Sequence, residues 1–526
     1  MVAASREVKF VRNLSGGLNF GPNQNDVREN QTPDALNVDF HSQGGFVLRG
    51  GFGYLLDQPT LDGAQFLHAS YYSDDVLLLK TSDGYLSEFD GSTNTISANL
   101  LTDSTTERVR SDDATFELSG TRYNKSYFAN GRSSGSVVMR TWDGTTFATL
   151  GTDWNNDYST PTGGNMPLGK HIAFYNNFMW VADTTEAGIN YPHRVRFSHV
   201  GMPEDFGEDD YFDVDPSDDG DPITQIIAVG QSLMVFKRSS VWMVYGYDRD
   251  TYILEQFSTA SGVCSCGAAD TDGENVYWWS TDGRLWRYGR NGLKMLSAPI
   301  SWWSENGKIL HGGRHRVKWM DGRLWMRLEA GSGEAVAYWL FIYDPESDTF
   351  TRYDKDVADL FFWQRIGVDG LKLFLFEGSD ALFSFDRNYL TDDDQDGAVV
   401  RIDGYFRTAW FNAGETATRK RWKRPRLTAS ADSNTTIDID VFFDLDSDNV
   451  SRSMQTTITV PGEASLWGTA VWGDAWYLPS DNYYNFSRLG STGSGYTVSY
   501  KFSSPDNPGR WAVDQLAIPY RRKTVK

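Results

Sequence analysis

The chain has only two cysteines in 526 residues, Cys264 and Cys266 in GVCSCGA, so no disulfide framework can carry the fold. In a strand both side chains point to one face; they read as small buried hydrophobes, with no further ligands nearby for a soft metal. Proline is sparse, 17 residues against 50 glycines, so corners turn mainly through positive-φ glycine, as many short strands require. No run approaches the ~18 apolar residues of a membrane-crossing helix. The opening MVAASREVKF lacks the apolar core of a secretory signal. The expectation is a protein made and kept in the cytoplasm unless an assembly carries it out. Positive charge is also short: 49 Lys and Arg against 70 Asp and Glu, a net −21. Such a surface repels nucleic acid and anionic membranes; it suits a wall past which DNA slides and equally a salt-adapted protein, so the sign alone decides little. Helical periodicity is almost absent.

Aromatics, by contrast, are plentiful: 19 Trp, 26 Tyr and 31 Phe, side chains that pack well on a pleated surface. One theme recurs, an aromatic-rich strand, an Asp-Gly turn and a second strand. It appears as VLLLKTSDGYLSEFDG (Val76–Gly91), VYWWSTDGRLWRYG (Val276–Gly289) and VKWMDGRLWMRL (Val317–Leu328), and more loosely as KLFLFEGSDALFSFD (Lys372–Asp386). Asp-Gly supplies the two positive-φ positions of a tight hairpin. Hairpins repeated every ~40–50 residues predict a β-propeller. The expected class is all-β: a propeller of about seven blades over residues 52–390 and a β-sandwich over 391–526. A row of sandwiches is the competing architecture. Residues 1–51, rich in Gly, Asn and Gln, are expected to be an extended N-terminal assembly arm that also supplies the first propeller strand, since such a stretch orders only against a partner.

Few residues suggest chemistry. DDDQDGAVVRID places Asp392, Asp394 and Asp396 at positions one, three and five of a D-x-D-x-D-G loop, with Asp403 at position twelve. Hard carboxylate oxygens at this spacing wrap calcium; the alternative is a solvated acidic turn between domains. His311 and His315 in HGGRH have zinc-helix spacing, but the Gly pair opposes a helix and the Glu of H-E-x-x-H is missing. STDGRLW resembles a sialidase Asp-box with the wrong spacing, and no catalytic motif is found. The basic stripe TRKRWKRPR carries Arg419, Lys420, Arg421, Lys423, Arg424 and Arg426. It reads as a subunit contact facing acidic segments of a neighbour such as DLDSDN (Asp444–Asn449), in preference to a nucleic-acid footprint.

Several stretches, in order, resemble tail proteins of tailed bacteriophages. They are SGGLNFGPN with TPDALNVDFHSQGGFVLRGG, then RVRFSHVGMPEDF (Arg194–Phe206) and ITQIIAVGQSLMVFKRSSVWMVYG (Ile223–Gly246). SGVCSCGAADTDGENVYWW through SAPI follows, and SLWGTAVWGDAWY (Ser465–Tyr477) and YTVSYKFSSPDN with AIPYRRK close the series. The family is the propeller-bearing nozzle or tail-tip (minor tail) protein of the virion. The resemblance implies a non-enzymatic structural subunit in a ring, usually sixfold, around the DNA channel. It would contact adaptor or tube proteins and tail fibres and serve genome retention and DNA ejection, with no sequence-specific DNA binding, no membrane insertion and no obligate cofactor. The rival expectations are a receptor-binding propeller that holds a host-surface glycan and a glycosidase.

Overall fold

The computed structural model describes residues 7–523, apart from 22–26, 42–43, 70–75, 91–92, 97–100, 103–109, 130–138, 161, 218–219, 259–261, 364–369, 395, 424, 434, 459–492 and 505–509. Among these residues seven antiparallel sheets follow one another along the chain, over residues 65–102, 110–149, 168–213, 223–258, 269–295, 316–353 and 357–386. The first strand of each sheet touches the first strand of the next, and Val357–Trp363 of the seventh touches Gln65–Ala69 of the first. The ring closes around an axial hollow, and the fold is a seven-bladed β-propeller.

The aromatic strands have a simple reason. Every residue of Val276–Trp279 is buried, because a blade is covered on both faces by its neighbours. Trp278 meets Phe236 of the fourth blade at 5.6 Å, and Tyr277, from the opposite face, stacks on Trp319 of the sixth at 5.4 Å. A large aromatic buries ~150–250 Å2, or about 4–6 kcal/mol at ~25 cal/mol per Å2. The expected pair of positive-φ turn residues occurs at Asp321 and Gly322 (φ 50° and 76°). At Gly84 and Gly283 only the glycine is left-handed; there Asp83 and Asp282 accept the hydroxyls of Thr81 and Ser280, which closes a slightly longer turn.

The seventh blade takes its outermost strand from the start of the chain: Gly51–Asp57 pairs with Ala381–Asp386. Phe52, fully buried, packs on Phe374, Phe376 and Phe385 at 5.0–5.4 Å. Gly51 is required by the close approach of Thr391, whose carbonyl oxygen lies 1.8 Å from where a Cβ would stand. The two ends of the propeller are thereby stitched together.

The sandwich differs from expectation. One sheet contains Glu7–Val11, Val38–Phe40, Phe46–Leu48, Lys420–Trp422, Arg426–Ala431, Ser494–Gly495 and Trp511–Arg522. The other contains Asp34–Leu36, Tyr405–Arg407, Thr435–Phe443, Arg452–Ile458 and Val498–Ser503. Four of these strands precede residue 50, so residues 1–51 are not a free arm and the sandwich is not confined to 391–526. Glu7–Val11 and Phe46–Leu48 both pair with Trp511–Arg522. Phe46 stacks on Phe406 across the sandwich at 4.1 Å and meets Trp511 edge-on at 5.7 Å. Strands of three residues are too short to show a period, yet adding to an existing sheet edge buries Val38, Phe40, Phe46 and Leu48. Between them the chain runs along the propeller. Leu18 and Phe20 donate backbone bonds to Phe350 and Pro299, and Phe20 stacks on Trp303 at 4.2 Å. Gly17 is left-handed (φ 76°), and a Cβ there would lie 2.7 Å from Thr349 Cβ. The Gly-rich opening is the price of lying this close to a blade.

Candidate functional site

In the acidic loop after the propeller, Asp392 forms a junction and stands apart from the other three predicted calcium ligands. Asp392 is buried and receives both ends of the Arg49 guanidinium, at 2.8 Å (Nη1 to Oδ1) and 2.7 Å (Nη2 to Oδ2). Lys355 reaches the same carboxylate at 2.8 Å. Arg49 also donates Nε to Asn37 Oδ1 at 2.9 Å and lies over Phe52 and Tyr353. Burial alone would raise the Asp392 carboxyl; Arg49 and Lys355 outweigh it and hold it below the usual range. The other three predicted ligands are elsewhere. Asp394 Oδ1 accepts the N–H groups of Asp396 and Ala398 around left-handed Gly397, while Asp396 and Asp403 are exposed. Among the described residues no three His, Cys, Asp or Glu side chains converge as a metal site. Two charges from Arg49 and Lys355 already neutralise the position where a cation would sit.

The basic stripe is split by strand alternation. Lys420 points inward, fully buried, and its ammonium donates to the carbonyls of Glu415 and Thr418. Burial lowers its pKa, against the pull of Glu415. It is therefore a structural lysine and not a contact residue. Arg424 lies outside the described residues, Lys423 is half-buried, and Arg419, Arg421 and Arg426 are exposed. Arg421 pairs across strands with exposed Arg521, which the sequence reading missed. Arg426 and Phe10 flank Ala517 from opposite sides, and Val8 faces Pro519. One outer face of the sandwich therefore presents Arg421, Arg521 and Arg426 beside Val8 and Phe10, which are 42% and 58% exposed. Like charges directly opposite in a sheet are destabilising, and none of these three arginines has a carboxylate partner among the described residues.

The axial hollow is about 470 Å3, with Arg110, Asp112, His171, Gln225, Asp270 and Arg316 among its lining residues. Cys264 is buried as expected, but Cys266 is half-exposed and meets His171 and Arg110. His315 is spent on the backbone: Nε2 donates to Leu310 O at 2.7 Å and Nδ1 accepts from Glu329 N at 3.0 Å. Burial brings its pKa down to about 4. The RVRFSHVGMPEDF segment staples the second and third blades. Glu204 accepts from Lys125 (2.6 Å), Tyr127 (2.9 Å) and Gly164 N (2.9 Å), and Asp205 accepts from Thr162 and Gly163. SLWGTAVWGDAWY lies outside the described residues. Another hollow, about 600 Å3, sits on the fourth blade beside Tyr245 and Tyr247, the latter 80% exposed.

No family model matches the chain, and no curated protein sequence matches it. Solved structures with partial likeness include a chain of BBS1N in complex with ARL6DN, at 12% identity over 64% of this chain and 97% of that one, TM-score 0.39. A chain of the Mitotic Checkpoint Complex has 10% identity over 64% and 93%, TM-score 0.36. The computationally designed Ika8 protein has 11% over 63% and 99%, TM-score 0.34. At these scores the propeller assignment rests on the sheets themselves.

Proposed function

We propose that this chain is a structural, ring-forming subunit of a phage tail, of the nozzle or tail-tip type. The observation that carries the reading is the outer sandwich face on which Arg421, Arg521 and Arg426 cluster beside exposed Val8 and Phe10 in a chain of net charge −21. A cross-strand arginine pair is tolerated most readily where an acidic partner covers it, and a second copy supplies one in its exposed loop Asp444–Asn449. The order of tail-protein-like segments along the chain supports the same assignment. Single exposed pairs contribute ~0–1 kcal/mol, so the face acts as a set.

The Arg421→Glu/Arg521→Glu double variant is expected to weaken ring formation about tenfold or more, equivalent to ~1.4 kcal/mol or more. High salt should partly reproduce the change in wild type. Mass photometry and negative-stain microscopy over a concentration series read this directly. Wild type that stays monomeric at every concentration, or rings indifferent to the reversal, would sink the proposal.

A second reading rests on the tyrosine-lined hollow of the fourth blade. Sugars stack on exposed aromatic faces, and Tyr247 offers one. If the propeller holds a host glycan, Tyr247→Ala should abolish glycan-array binding and leave assembly unchanged. An array blank for wild type removes this reading.

A further inference from the structure

At one end of the axial hollow, Cys266, His171 and Arg110 meet from three different strands or turns. Arg110 Nε donates to Cys266 Sγ. His171 Nδ1 lies 3.4 Å from the same sulfur, while its Nε2 faces the Ile223 carbonyl at 3.1 Å. A carbonyl only accepts, so Nε2 carries a proton. Nδ1 is left either to accept the thiol proton or, once protonated, to donate to the thiolate. The imidazole is thus fixed as the proton acceptor for Cys266. Arg316 braces the turn from the other side, donating Nη1 to the Cys266 carbonyl, and itself lies 3.8 Å from Asp359.

The surrounding hollow, about 380 Å3, is basic in an acidic protein. Lys170, Arg238, Arg314 and Arg316 line it with Arg110, and among the described residues Asp183 is the carboxylate in the same wall. Cys264 is the contrasting case. Its Sγ is turned to the Trp279 carbonyl at 3.4 Å, and burial pushes its thiol up to about 12. Burial would also raise Cys266, but Arg110 and His171 outweigh it and bring the thiol down to about 5.

We propose that Cys266 is a nucleophilic thiolate on the propeller axis and that its site takes small anionic disulfides. The thiolate attacks one sulfur of the disulfide. A new S–S bond to Cys266 forms, the original S–S bond breaks, and the second half leaves as a thiolate with the electron pair. The Cys266 proton has gone to His171 or to water. The cations of the wall attract the carboxylates of the incoming molecule and stabilise the departing anion. Because the neighbouring Cys264 is inert, the reaction stops at the mixed disulfide and does not proceed to an internal bond. The proposal is independent of ring formation.

The test uses the full native chain with two probes, dithiobis(nitrobenzoate), a dianion, and cystamine, a dication. Each rate is divided by that of the same probe with free cysteine. One thiol per chain should react without denaturant, and peptide mass spectrometry should place it at Cys266. Cys266→Ser should abolish the reaction and Cys264→Ser should keep it. The normalised rate should favour the anionic probe by about tenfold or more. The thiolate-limited rate should be half-maximal near pH 5, where a free cysteine needs a pH of ~8.5. Arg110→Ala should move that midpoint upward, towards the free-thiol value. Thiols that react only after unfolding, an ordinary thiol pH profile, or preference for the cationic probe each overturn the proposal. The wild-type pH profile and probe ratio decide the question even if Arg110→Ala fails to fold.

Discussion

Arg49→Leu is expected to lower the unfolding free energy by ~3–5 kcal/mol, the range seen when one partner of a buried ion pair is removed. The side chain is fully buried, and its loss leaves Asp392 in the same interior with only Lys355 opposite. The cost arises from a carboxylate that can no longer be neutralised where it sits. The double variant Arg49→Leu/Asp392→Leu removes both charges and should recover much of the loss, since isosteric apolar pairs often replace buried ion pairs at little cost. Urea unfolding followed by tryptophan fluorescence gives both values. A single variant within ~1 kcal/mol of wild type would show that the junction is not held by this pair.

The same pair has a pH signature. The folded-state pKa of Asp392 is depressed, so the folded state binds fewer protons at this group than the unfolded chain. The stabilisation is fully present above the unfolded value of ~3.9 and is lost as pH falls through the lower, folded value. Wild type should therefore lose more stability than the double variant on going from neutral pH to below pH ~4.

The propeller was legible because its signal is local. Each blade is a set of hairpins, both faces are covered, and strands such as Val276–Trp279 and Arg323–Glu329 of neighbouring blades read as aromatic runs beside Asp-Gly turns. The sandwich was only half legible. Three of its four N-terminal strands hold only three residues, and the partner of Phe46 is Val513, far along the chain. The pairing of Asp392 was hidden for a related reason. D-x-D-x-D-G fixes the spacing of carboxylates but not what faces them, and the counter-ion of Asp392 is 343 residues away. Lys420 and Arg421 differ in role because adjacent strand residues face opposite sides, a point the residue types alone do not reveal. Cys266 looked inert for want of neighbours; His171 and Arg110 are 95 and 156 residues distant and meet it only because the ring closes.

Deleting residues 1–50 should therefore do more than block assembly: the chain should lose its cooperative fold. The deletion removes four sandwich strands, the Arg49 bolt, and the segment that enters the closing strand Gly51–Asp57. Besides Ala35, it also strips eight larger buried apolar side chains, Val11, Leu14, Leu18, Phe20, Val38, Phe40, Phe46 and Leu48, from the continuous core shared by sandwich and propeller. At ~1.5–3 kcal/mol each their gross burial is about 12–24 kcal/mol, at or above the ~5–15 kcal/mol by which whole domains are stable. The groups left behind suffer as well. Trp511 loses its edge-on partner Phe46, and Trp511–Arg522 is left with an unpaired edge where Glu7–Val11 and Phe46–Leu48 had lain. Such an edge recruits other chains, so the expected product is aggregated or rapidly proteolysed. Removing only residues 1–12 deletes the single strand Glu7–Val11 and should leave a soluble, less stable protein. Near-ultraviolet circular dichroism and size-exclusion chromatography distinguish the two outcomes. A soluble 51–526 chain that keeps the native aromatic spectrum and unfolds in one transition would mean that the N-terminal strands decorate the sandwich without holding it, and would restore the role of a detachable arm.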